Sequence, residues 1–218
     1  MKALYLHGFR SSPASFKARL LEQAMARRGL PQDWHCPQLP ASPAQAMALC
    51  RQWVEATFAA AGAGADVDTD AMRQAVRDGL VVIGSSLGGY YATCLAEQWQ
   101  CRAVVLNPVV HAARDLATQV GKHTEYHGGG PFEFLPEHVD ELAAMAVPPP
   151  RDPSRYYLLA ATGDEVLDWR EMRQWYAGSH GHLIQGGDHG ISNFADWLPD
   201  VMAFVLGQAP YDYDIDRA

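Results

Sequence analysis

Short apolar runs punctuate this chain, and the intervals between them carry helical periodicity. Residues 3–6, 80–83, 103–106, 156–160 and 182–184 are largely apolar without alternation, and 34–36 is a weaker sixth candidate. Such runs, separated by helices, predict a parallel sheet of about six strands with helices on both faces. Phe16, Leu20, Leu21 and Met25 recur at helical spacing, with Ser12 placed as cap, Pro13 as first helical residue and Gly29 as stop. Ser42 and Pro43 repeat the device ahead of Ala46, Leu49, Cys50, Trp53, Val54, Thr57 and Phe58, with Gly62 and Gly64 as terminators. Residues 87–99 are apolar or small on most sides and predict a buried helix. After Ser192 a last stripe of Phe194, Trp197, Leu198, Val201 and Val205 contains Pro199, which predicts a kink or a later start. Residues 108–150 break the rhythm with no clear strand, a Gly128-Gly129-Gly130 run and a short helical piece near 136–145. A stretch this long predicts a functional or mobile insertion between the fourth and fifth strands.

Composition narrows the class. The 218 residues are 48% hydrophobic and 19% charged, which is enough apolar material to offset chain entropy and excludes disorder. No internal repeat or composition shift marks a linker, so one domain over 1–218 is expected. No apolar run approaches the roughly 18 residues of a membrane span. The apolar start at 3–6 is too short for a signal peptide, which predicts a cytoplasmic protein. A net charge of −8 disfavours nucleic acid and anionic lipid as partners. Cys36, Cys50, Cys94 and Cys101 form no C-x-x-C pair and are expected to be reduced, buried and free of metal.

The chemistry enters after the third strand. Gly84-Ser85-Ser86-Leu87-Gly88 matches G-x-S-x-G between a buried strand and a buried helix. A nucleophile on a sharp, strained turn needs neighbours with almost no side chain, hence glycine two before and two after Ser86. Gly89 is expected to let the following helix approach the sheet. A serine hydroxyl needs a base, and the base needs an orienting acid. On this chain order the partners should stand at later strand exits, and they do: Asp164, Glu165 and Asp168 follow the fifth strand and His189 follows the sixth. Asp164 lies closest to the strand end and is the preferred acid, while Asp168 is well placed as a helix cap. An oxyanion needs two backbone N–H groups; Leu87 supplies one and the loop after the first strand supplies the other, at Phe9. His7 is then structural or orienting.

Assembled in this order, the chain resembles the α/β-hydrolase superfamily nearly end to end. More narrowly, Tyr5-Leu6-His7-Gly8-Phe9 with Ser11-Ser12-Pro13, Gly84-Ser85-Ser86-Leu87-Gly88-Gly89-Tyr90-Tyr91-Ala92 and Thr162-Gly163-Asp164-Glu165-Val166-Leu167-Asp168 resemble the small bacterial YqiA-type esterases. The resemblance implies a hydrolase of carboxylic esters, with acyl-CoA thioesters as a further substrate class, and favours Asp164 as the acid. The expected mechanism runs through an acyl-enzyme cleaved by water, with no cofactor and a small-molecule ester or thioester as partner. Residues 108–150 would form a lid, with Phe132, Phe134 and Leu135 as acyl contacts. Arg10, Lys17 and Arg19 are the basic residues near the oxyanion loop that an acyl-CoA would need.

Other signals are weaker. His127-Gly128-Gly129-Gly130 follows the nucleophile instead of preceding it, so it reads as a turn and not as an oxyanion motif. His123 and His127 lack the glutamate placement of a zinc helix, and His180 with His182 lacks a third ligand. The rival readings are a peptidase or C–C hydrolase on the same triad, and a catalytically silent binding protein of the same fold.

Overall fold

The computed structural model describes residues 1–59, 69–128 and 130–208. Gly62 and Gly64, Gly129 and the acidic tail from Asp212 to Asp216 lie outside the described residues. In chain order the elements are β1 (Lys2–Leu6), α1 (Phe16–Arg27), β2 (Trp34–His35), α2 (Pro43–Phe58), α3 (Thr69–Gly79), β3 (Leu80–Ser85), α4 (Leu87–Trp99) and β4 (Arg102–Leu106). They continue with α5 (Ala112–Leu116), β5 (Gly121–Thr124), β6 (Pro131–Phe134), α6 (Pro136–Ala144), β7 (Tyr156–Ala161), α7 (Trp169–Trp175), β8 (His180–Ile184) and α8 (Phe194–Val205). Six strands form one sheet in the order β2-β1-β3-β4-β7-β8, and every neighbouring pair is parallel.

Two cores cover the two faces. One packs α2, α4 and α6 with Leu4, Val82, Val105 and Leu158 of the sheet. The other packs α1 and α8 with Tyr5, Ile83, Val104 and Leu159. Alternate residues of one strand thus feed opposite cores, and β3 and β7, buried throughout, carry no polar face because neither side meets water. No helix among the described residues is long and apolar enough to cross a membrane.

Several expectations shift at helix ends. α1 begins at Phe16 behind Ser15, three residues later than expected, because Ser12 and Pro13 are spent in a turn. In that turn the Ser12 hydroxyl accepts from the Ala14 N–H and the Ser12 carbonyl from the Ser15 N–H. α2 starts as expected, with the Ser42 hydroxyl accepting from Gln45 N–H at 3.2 Å and Pro43 in the first turn. The same hydroxyl donates to Glu141, which fastens α2 to α6. α8 runs from Phe194 through Pro199 to Val205, with Pro199 on its exposed side. α3 has no counterpart in the apolar pattern: Val76 is its one fully buried large apolar side chain, too little for a visible stripe. Nor is the insertion strandless, since β5 and β6 form an antiparallel hairpin between α5 and α6.

The turn from β3 into α4 is set by backbone contact. A Cβ on Gly84 would stand 2.0 Å from the Gly88 carbonyl oxygen, and one on Gly88 would stand 2.0 Å from the Leu6 carbonyl oxygen. Gly89 is as constrained as expected: a Cβ there would stand 2.7 and 2.9 Å from Cβ and Cα of Pro108 just beyond β4, so Gly88 and Gly89 together let the helix meet the sheet. Gly88→Ala should cost about 3 kcal/mol or more, because backbone cannot move aside as a side chain can. Gly130→Ala, with open space at its Cβ, should stay within about 0.5 kcal/mol. Urea unfolding of the two variants makes the comparison.

Candidate active site

Ser86 caps α4 at φ 56° and ψ −122°, a conformation that non-glycine residues avoid. Three backbone hydrogen bonds hold it there. Its N–H donates to the Leu106 carbonyl at 3.0 Å, and its carbonyl accepts from Gly89 at 2.8 Å and Val109 at 3.1 Å. The hydroxyl is thereby presented at the carboxyl end of the sheet.

His189 and Asp164 converge on it from the exits of β8 and β7. Ser86 Oγ lies 3.0 Å from His189 Nε2, and His189 Nδ1 lies 2.8 Å from Asp164 Oδ2. The Asp164 side chain is fully buried, and its Oδ1 accepts the N–H groups of Val166 and Leu167 at 2.8 and 2.9 Å. A carboxylate so placed only accepts, so the proton on the ring sits at Nδ1 and leaves the Nε2 lone pair facing the serine hydroxyl. The other two carboxylates have separate work. Glu165 accepts the backbone N–H of His189 at 3.0 Å, and Asp168 caps α7 by accepting from Arg170 N–H at 2.9 Å.

Two further buried residues organise this edge, and one of them has no place in the motifs of the sequence. Asn107 is fully buried at φ 40° just beyond β4. Its amide nitrogen donates to the carbonyls of Asp188 and His189 at 3.0 Å each, and its oxygen accepts from Ala161 N–H at 2.8 Å. One side chain thus ties the exits of β4 and β7 to the loop that carries His189. The signal that could find it is an asparagine directly after an apolar strand, a residue type that tolerates positive φ. His7 accepts the Leu39 N–H at Nε2 and faces the Gly8 carbonyl with Nδ1. Burial pulls its pKa down to about 4, so the ring is neutral and both nitrogens are engaged.

A cavity of about 540 Å³ opens over Ser86, within the usual range for small-molecule sites. Phe9 and Leu87 both line it. Leu87 opens α4, so its N–H has no partner within the helix, and neither amide makes a protein hydrogen bond among the described residues. Leu87, Val109, Leu116 and Leu167 give one apolar wall on the α4 side of the sheet. Tyr5, Ser15, Lys17 and Ser85 give a polar wall on the α1 side. Burial lowers the Lys17 ammonium to about 8, with Asp188 and Asp164 pulling the other way.

Phe132, Phe134 and Leu135 do not line the cavity. Phe132 and Phe134 turn inward and meet the Phe9 ring edge-to-face at 5.1 and 5.2 Å, and Leu135 is the residue before α6. The insertion instead reaches the cavity through Val109, Asp115, Leu116, Gln119, Tyr126 and His127. Its hairpin is bonded to the Phe9 segment: Tyr126 N–H donates to the Arg10 carbonyl at 2.7 Å, and Arg10 Nε donates to the Thr124 carbonyl at 2.8 Å.

Asn107→Ala should strip partners from two carbonyls and one amide and cost about 3 kcal/mol. Amide exchange of residues 188–190 should quicken more than that of β1 and β3, by hydrogen-exchange mass spectrometry. His7 yields a pH effect of definite sign. Unfolded histidine binds a proton near pH 6.5 and the folded ring near 4, so the unfolded chain gains protons first on acidification. Stability should therefore fall by about 1.5 kcal/mol between pH 6.5 and 5 from this residue. Half-buried His35 and His182, whose pKa values burial also lowers, add in the same direction. Urea unfolding at the two pH values measures the loss, and an unchanged midpoint would refute it.

The fold recurs in solved structures. A protein of the α/β hydrolase superfamily from Xanthomonas campestris pv. campestris matches with TM-score 0.56 at 19% identity, over 95% of this chain and 99% of that one. Est1E from Butyrivibrio proteoclasticus, seen with ferulic acid bound, matches with TM-score 0.63 at 12% identity, over 94% and 88%. A structure from the metagenome-derived lipolytic enzymes LipS and LipT matches with TM-score 0.58 at 20% identity, over 94% and 93%. The model of the uncharacterised protein family UPF0227 matches residues 2–206. On that match the chain belongs to UPF0227, the YqiA-type family, with the fold of the α/β hydrolases.

Proposed function

We propose that the protein is a serine hydrolase of small carboxylic esters. The observation that carries this reading is the hydrogen-bonded series from Ser86 Oγ through His189 to Asp164, at 3.0 and 2.8 Å. Ser86 would attack the ester carbonyl as His189 Nε2 takes its proton. Asp164 would keep the ring in the needed tautomer and favour its protonated form. The Phe9 and Leu87 amides would receive the negative charge of the tetrahedral intermediate. His189 then returns the proton to the departing alcohol, and water activated by the same ring releases the acid. No other group is required for the proton balance.

Plain esters are favoured over acyl-CoA thioesters by the placement of the basic residues. Arg10 is not among the residues lining the cavity; its guanidinium is engaged 4.6 Å above the Tyr126 ring. Arg19 is exposed on α1, and Lys17 alone of the three lines the cavity. One ammonium is a poor match for the several phosphate charges of coenzyme A. Support at the level of chemistry comes from Est1E and the lipolytic enzymes, which carry esterase or lipolytic names on the same fold.

Ser86→Ala should lower kcat on nitrophenyl esters by at least about 10⁴-fold, and a fluorophosphonate should label wild type at Ser86. Asp164→Asn should lose about 10⁴-fold through the wrong tautomer. Full esterase activity in Ser86→Ala, or labelling elsewhere, would overturn the assignment.

A further inference from the structure

Two polar side chains on the α1 wall of the cavity, Lys17 and Ser15, keep hydrogen-bonding capacity that the protein around them does not use. Lys17 forms no ion pair within 4.0 Å among the described residues, and its one hydrogen bond goes to the carbonyl of Gly190, directly after His189. An ammonium has three donors, so two remain. Ser15 Oγ is buried and makes no hydrogen bond of good geometry, although the Tyr5 hydroxyl is near enough to act on it. Both side chains line the cavity that holds Ser86, together with the Tyr5 ring. The unused donors of the ammonium and the unpartnered hydroxyl are thus available to a ligand at one end of the site.

The complementary ligand group is defined by this chemistry. It must accept hydrogen bonds from an ammonium and a hydroxyl, and it must carry negative charge. Asp164 and Asp188 already act on Lys17, and the chain has a net charge of −8, so the site can neutralise a single negative charge and not a dianion. We infer that Lys17 and Ser15 form a carboxylate subsite, and that the substrates are esters carrying one carboxylate. This rests on the hydrolase reading above and narrows it. The apolar wall of Leu87, Val109, Leu116 and Leu167 would take the hydrocarbon part, while the carboxylate turns toward α1.

The test separates binding from turnover. Ser86→Ala protein is titrated calorimetrically with two matched pairs: monomethyl glutarate against dimethyl glutarate, and 4-acetoxybutyrate against its methyl ester. These place the carboxylate on the acyl and on the alcohol side. In at least one pair the carboxylate member should bind tenfold or more tightly. Adding Lys17→Met should collapse the ratio to near one, Lys17→Arg should keep most of it, and Ser15→Ala should reduce it severalfold. Equal binding within both pairs, no binding of any member, or a ratio that survives in Lys17→Met would overturn the subsite. Circular dichroism of each variant establishes that it is folded. Kinetics on wild type then test the hydrolase separately. Selective binding without turnover leaves the subsite standing and refutes the hydrolase. Equal kcat/KM for charged and neutral esters in both pairs does the reverse.

Discussion

Where α4 leaves β3, backbone meets backbone: Gly84 against Gly88, and Gly88 against the Leu6 carbonyl. No side chain fits between them, so the whole change of direction falls on Ser86, at φ 56°. Strain of about 1–3 kcal/mol at such a residue is comparable with what its three backbone hydrogen bonds return at about 0.5–1.5 kcal/mol each. The conformation is therefore stable only as part of the packed sheet edge. Its products are the exposed hydroxyl and the Leu87 amide beside it, both delivered by one turn.

The remainder of the edge is a problem of satisfying buried polar atoms. β4, β7 and β8 end near one another, and each exit would leave carbonyls and amides without partners. Asn107 closes three of those gaps with one side chain, and Asp164 closes two more while facing His189. His7 does the same for Leu39 and stays uncharged because burial makes protonation expensive. The groups that could carry chemistry are thus held by the same bonds that hold the strands in register. Precision at Ser86 and His189 comes from rigidity below them, not from the loops themselves.

Much of this is legible from residue order alone. Unalternating apolar runs locate five of the six main-sheet strands, with Trp34 to Cys36 a weaker sign of the sixth, and Gly84 to Gly88 locate the turn, because each demands particular residue types at particular places. What escapes is local structure maintained by distant partners. β5 alternates half-buried with exposed positions and β6 buried with exposed ones, over only four residues each, too short a span to separate from loop. α3 buries so little that its sequence looks merely polar. Ser12 and Pro13 carry a helix-start signature, yet the chain uses them to turn out of β1 before the helix begins. Phe132 and Phe134 look like ligand contacts because aromatic residues in an insertion often are; here their partner is Phe9 of the same chain. Asn107 can be seen as a strand terminus, but its three-way bridge depends on contacts more than fifty residues away.

The hairpin tied to the Phe9 segment has a consequence for how this family can diversify. An insertion that lines a cavity is ordinarily free to vary, since its changes alter what fits and little else. Here its aromatic underside props the ring of Phe9, and Arg10 and Tyr126 stitch the two segments together. A change that reshapes the cavity roof is also felt by the backbone beneath it. Selectivity and rate would then drift together under mutation of the insertion.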